Sequence, residues 1–153
     1  MEAAPLLPLD DRASGDLHAS NGAEWRLFSD RVMGGVSAGT LTVEEVAGRA
    51  CLRMRGDVRL DNNGGFIQAA QDVDPAVAGR LDVYTGLRVT LYGNGEAYNL
   101  HLRTSALWLP WQSFRSTVIA PPRWQTFDLP FAAFEPYKTR AMLRPQQLRR
   151  VGV

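Results

Sequence analysis

Apolar and polar side chains alternate in this chain with a period of two, in short runs separated by Gly, Asn, Asp and Pro, and that pattern points away from a helical body. The clearest stretch is Leu87-Arg88-Val89-Thr90-Leu91-Tyr92, then Gly93-Asn94-Gly95, then Glu96 through Arg103. Leu87, Val89 and Leu91 fall on one face of the first run and Tyr98, Leu100 and Leu102 on one face of the second. Arg88, Thr90, Asn99, His101 and Arg103 lie opposite, and Gly and Asn tolerate the positive φ of a tight turn, so the two runs are expected to pair as a hairpin. Similar runs recur at Gly39 to Val43, Arg49 to Arg55, Gly65 to Ala70, Gln112 to Ile119 and Arg123 to Leu129. Asn62-Asn63-Gly64-Gly65 and Asp72-Val73-Asp74-Pro75 are turn chemistry, and Pro121, Pro122 and Pro130 cannot donate to a ladder and so mark strand ends. Short helices fit only at Pro75–Ala78 and Pro145–Arg149. The expected fold is all-β: a jelly-roll β-sandwich of two antiparallel sheets, forming one domain over residues 1–153.

Charge narrows the partners. The net charge is +1, which gives no overall field for polyanions, although sixteen of the seventeen basic residues are Arg, a bias that fits GC-rich coding. Nucleic acid is therefore not an expected partner. The single cysteine, Cys51, permits neither an internal disulfide nor a multi-cysteine metal site and suits a reducing compartment. The first twenty residues carry Glu2, Asp10, Asp11 and Asp16 without an apolar stretch of signal length, and no run approaches the ~18 apolar residues of a membrane span. A cytoplasmic location is expected, peripheral at an inner membrane through a partner. The chain stops at Val151-Gly152-Val153, where a β-branched strand begins, so the last strand is expected to be short or cut off.

Groups suited to catalysis are sparse. His18 and His101 are the only histidines, they lie far apart, and neither has a second ligand at metal-binding spacing. Neither a nucleophile elbow nor an activated cysteine is present, and Glu44-Glu45 and Asp72/Asp74 sit at turns or strand ends, where solvation accounts for them. Met33-Gly34-Gly35-Val36-Ser37-Ala38-Gly39 lacks the Gly-Lys-Ser/Thr ending of a phosphate loop. It reads as a tight connection, with Asp30 and Arg31 ordering it by hydrogen bonds. No enzyme activity, metal or cofactor is expected. The most unusual segment is Leu107-Trp108-Leu109-Pro110-Trp111, which sets two indoles and two leucines around a proline between two strands. Such a loop either folds back to plug the end of the sandwich or offers a binding patch.

Ser29-Asp30-Arg31-Val32-Met33-Gly34-Gly35-Val36-Ser37, Asn62-Asn63-Gly64-Gly65-Phe66, Tyr84 to Val89, Gly93 to Tyr98, Leu102-Arg103-Thr104, Trp111-Gln112-Ser113-Phe114 and Trp124 to Phe131, followed by Phe134 and Pro136, form an ordered series of motifs. From about Trp25 to Val153 the chain thereby resembles the complex I intermediate-associated protein 30 family. It departs from that pattern at Asn94, where Asp is common, and at Ala141, where Gly commonly follows the arginine. The resemblance implies a galactose-binding-like jelly roll without enzymatic activity and, for mitochondrial members, a role in assembling the respiratory NADH dehydrogenase, complex I.

The expected function is thus that of a bacterial-type, non-enzymatic binding protein, acting like a chaperone on complex I subunits or assembly intermediates. The binding residues expected are Asp30, Arg31, Met33, Asn63, Arg103, Trp108, Trp111 and Gln112. Because the fold resembles carbohydrate-binding modules, the alternative is a sugar-binding domain that stacks Trp108 or Trp111 on its ligand beside Arg103 and Gln112.

Overall fold

In the computed structural model residues 6–33, 35–58 and 65–153 are described. Strands account for 47% of the structure and helical turns for 11%, so the class is all-β as the alternation predicts. Contacts divide the chain into two compact units, Met1–Gln71 and Asp72–Val153.

In the first unit β1 (Arg26–Ser29) runs antiparallel to β4 (Ile67–Asp72), in register from Arg26↔Ala70 to Ser29↔Ile67. Between them β2 (Ala38–Val46) and β3 (Arg49–Asp57) form a nine-residue hairpin from Ala38↔Asp57 to Val46↔Arg49. Its two-residue turn, Ala47-Gly48, has φ of 48° and 79°, the doubly positive geometry that matches strand twist. Period two explains the ladder. Leu41 faces Met54 and Val43 faces Leu52 on one side, while on the other Glu44 accepts from Thr42 Oγ1 at 2.7 Å and from Arg53 Nη1 at 3.3 Å. Cys51, also on that second side, is buried, and burial first and the Glu44 charge second push its thiol pKa up. Ahead of β1, the Asp10 carboxylate gathers Arg12 N and Nε, Ser20 N and, at 2.7 Å, Trp25 Nε1.

The second unit opens with the helical turn α1 (Pro75–Ala78), which Asp74 caps by accepting from Ala76 N at 2.7 Å, with proline at the first position as the turn chemistry predicts. Six strands follow: β5 (Gly86–Leu91), β6 (Ala97–Thr104), β7 (Ser113–Ile119), β8 (Gln125–Pro130), β9 (Glu135–Tyr137) and β10 (Leu148–Gly152). Pairings β10–β6, β6–β7 and β7–β9 build one antiparallel sheet, and β5 pairs with β8 separately. Leu100 and Leu102 of β6, Phe114 and Val118 of β7, and Leu148 and Val151 of β10 are buried. Each such large apolar side chain contributes roughly 1.5–3 kcal/mol through burial.

The expected hairpin between residues 87–92 and 96–103 is not formed, although both strands exist. β5 instead pairs with β8, Leu87 opposite Leu129 and Val89 opposite Phe127, and β6 pairs with β7. The Gly93–Gly95 connection bonds to a different segment: Gly93 N donates to Pro121 O and Gly95 N to Ala120 O, at 2.8 and 2.7 Å. Turn chemistry marked the chain reversal without fixing its partner. Beyond Pro145 the chain makes only a 3-10 turn, Pro145–Gln147, and then continues as β10 along β6. Among the described residues no helix is long and apolar enough to cross a membrane.

Candidate functional site

The Trp-rich loop joins β6 to β7. Leu107, 8% exposed, faces inward, while Trp108 is 89% exposed and Leu109 and Trp111 stand at 42% and 43%. The segment is thus split, with Leu107 buried and the Trp108, Leu109 and Trp111 side chains open to solvent. Strand chemistry beneath fixes the loop. Arg103 Nη1 donates to the carbonyls of Leu109, Pro110 and Gln112 at 2.9, 3.1 and 2.6 Å. Gln112 Oε1 accepts from the amides of Trp108 and Leu109 at 3.2 and 3.1 Å, and its Nε2 donates to Lys138 O at 3.2 Å. Ser105 N bonds Gln147 O at 2.9 Å. Burial first, then the charge of Arg150 directly across the strand pair, lowers the pKa of Arg103 from its ordinary value. Arg103, Trp108, Trp111 and Gln112 are thus brought together, with the first and last holding the backbone that displays the other two.

Asp30 and Arg31 lie in the first unit, in a 3-10 turn (Asp30–Met33) after β1. Asp30 is fully buried. Its carboxylate accepts from Ser37 N at 2.9 Å, from Ser37 Oγ, from Gly65 N and from Phe66 N at 3.3 Å. Burial raises its pKa, but these hydrogen bonds outweigh burial and hold the carboxyl below its ordinary value. Arg31, exposed, donates from Nε to Ser37 O at 3.0 Å. Their contacts are of the loop-ordering kind. The Met33 side chain and Asn63 lie outside the described residues.

On the polar side of β6, His101 stands directly across from Arg115 of β7, with Nδ1 3.1 Å from Ser113 Oγ. Burial, with the Arg115 charge second, pulls its pKa down to about 4. The Arg115 guanidinium lies 3.9 Å from the Tyr137 ring centroid, and Lys138 Nζ 5.4 Å from it. Sequence reasoning overlooked the segment that follows. From Pro136 to Val153 there are five cations and no carboxylate, and Lys138, Arg140, Met142 and Arg144 are all exposed. The local charge bias was readable, but an overall charge near zero concealed it.

A family model described as complex I intermediate-associated protein 30 matches residues 16–153. The match begins nearer the N-terminus than the expected Trp25 and takes in the bridge between His18 and Glu24. Among solved structures, the family 11 carbohydrate-binding module of a cellulosomal cellulase of Clostridium thermocellum aligns with TM-score 0.69 at 12% identity, over 99% of this chain and 85% of that one. The fold is accordingly the galactose-binding-like β-sandwich. No curated protein matches the chain.

Proposed function

The chain belongs to the complex I intermediate-associated protein 30 family, and from that membership we propose that it is a non-enzymatic protein that binds assembly intermediates of complex I in chaperone fashion. It would act in the cytoplasm and meet the inner membrane through that partner. The observation that carries the reading is Trp108, 89% exposed on a loop whose backbone is already tied down by Arg103 and Gln112. Large aromatics held in a fixed pose lose little conformational freedom on docking and dominate interface energetics. The loop would shield an incomplete subunit surface until the permanent neighbour displaces it.

The test is genetic. In a host that has complex I, deletion of the gene should deplete the complex on native gels, and the wild-type gene should restore it. Trp108→Ala with Trp111→Ala should fail to restore it while leaving the melting temperature within about 3 °C, because exposed side chains carry little folding energy. Normal complex I in the deletion strain, or full rescue by the double variant, eliminates this role.

A carbohydrate ligand is the second reading, supported by the likeness to a carbohydrate-binding module and by the outward indoles. Against it, Arg103 Nη1 and both ends of the Gln112 amide are engaged with backbone rather than turned toward a ligand. Glycan-dependent thermal stabilisation is its signature, and stabilisation lost in the same double variant would favour it.

A further inference from the structure

The geometry points to direct contact between this edge of the second unit and an anionic lipid surface, a contact that needs no protein partner. It shares the Trp108–Trp111 loop with the reading above but not the complex I subunits. Two segments far apart in sequence are joined there. The loop between β6 and β7 is bonded to the 138–147 segment at both ends, through Gln112 Nε2 to Lys138 O at 3.2 Å and through Ser105 N to Gln147 O at 2.9 Å. One segment supplies exposed Trp108, Leu109 and Trp111, and the other supplies exposed Met142 with Lys138, Arg140 and Arg144.

Exposure in the second segment alternates. Lys138, Arg140, Met142 and Arg144 face water, while Thr139, Ala141 and Leu143 are partly buried, so three cations and a thioether are exposed within seven residues. Neither segment contains an acid: there is none from Arg103 to Arg115 and none from Pro136 to Val153. Indoles settle at the level of lipid headgroups because the ring is apolar and its N–H can still bond. Basic side chains beside them gain roughly 1 kcal/mol each near an anionic leaflet. The aliphatic Leu109 and Met142 favour hydrocarbon over nucleobases as the occupant, since bases stack on flat rings. A rigid loop inserting two indoles, held by a flanking basic strip, is a peripheral membrane contact of the two-signal kind.

Purified full-length protein is sedimented with vesicles of phosphatidylcholine alone or of phosphatidylcholine with phosphatidylglycerol. Binding is expected to the anionic vesicles, weakened at 0.5 M salt and at least 10-fold lower on neutral ones. Lys138→Ala/Arg140→Ala/Arg144→Ala should weaken it by about 100-fold, three charges at about fivefold each. Trp108→Ala/Trp111→Ala should weaken it by 10-fold or more, with melting temperatures within about 3 °C of wild type for both variants. No sedimentation with anionic vesicles, equal binding to both compositions, or full binding by either folded variant overturns the contact. So does a wild-type dimer that the Trp double variant converts to monomer without any vesicle binding, which would make the occupant a second copy. The vesicles contain no protein, so failure here leaves the assembly role to the native gels, and a vesicle-binding protein whose deletion spares complex I retains this contact without that role.

Discussion

Replacing Asp30 by alanine should lower the melting temperature by on the order of 10 °C, although the residue presents no surface to solvent. Two donors from Ser37 and the amides of Gly65 and Phe66 converge on one carboxylate, and alanine would leave all four without that acceptor, the two of Ser37 in a buried position. Asparagine should lose nearly as much, because its amide nitrogen would point hydrogens at groups that are themselves donors. The fit extends to Gly35, where an added Cβ would stand 2.5 Å from Asp30 Cγ, so Gly35→Ala should also destabilise. In an Asp30→Ala background the contacts with Cγ and Oδ1 are gone and only the 2.8 Å approach to the residue 30 Cβ remains, so the clash is partly relieved and the double variant should cost somewhat less than the sum of the single ones. The folded carboxyl titrates below its ordinary value, so its contribution is complete above pH 3.8 and declines as pH falls through the lower folded value. Melting curves of the four variants and the wild type check this, and a wild-type-like Asp30→Ala removes Asp30 as the organiser of the loop.

Strands were legible because an inward–outward alternation leaves a local trace, as Leu100 and Leu102 against His101 and Arg103 show. Pairing left no such trace. Gly93-Asn94-Gly95 carries the chemistry of a hairpin turn, yet its amides bond Ala120 and Pro121, more than twenty residues downstream. Two short strands escaped notice, Arg26–Ser29 and Glu135–Tyr137, which contains a proline, and the last strand, expected from Val151, begins earlier, at Leu148 after a proline-led turn. Runs of three to five residues show too few alternations to separate from loop. At the site, Trp108 and Trp111 stood out by composition, but nothing local told that Arg103 and Gln112 would support the loop rather than meet its ligand, because the carbonyls they bind belong to its folded path.

Acidification from pH 7.5 to 4 should remove about 3 kcal/mol of stability through His101 alone, with about 2 kcal/mol gone by pH 5. Unfolded, this imidazole takes a proton near pH 6.5; folded, it does so only at about 4. Within that interval the unfolded chain binds the proton and the folded chain does not, so the stability held above pH 6.5 is lost as pH falls through the folded value. The cause is positional. Burial withholds water from an imidazolium, Arg115 stands directly across the ladder with a like charge, and Gly152 on the other side offers no side chain to pair with it. Ser113 Oγ accepts from or donates to Nδ1 and so does not require the charged form. His101→Asn, which keeps a polar partner for Ser113, should cost about 1 kcal/mol at pH 7.5 and flatten the slope between pH 6.5 and 4. Urea unfolding at pH 7.5, 6, 5 and 4 measures both. A slope that survives in the asparagine variant would assign the acid sensitivity elsewhere. Asp30 titrates below its ordinary value and His101 between about 6.5 and about 4, so a variant at Asp30 should alter mainly the most acidic limb of the pH profile and one at His101 mainly the limb above it.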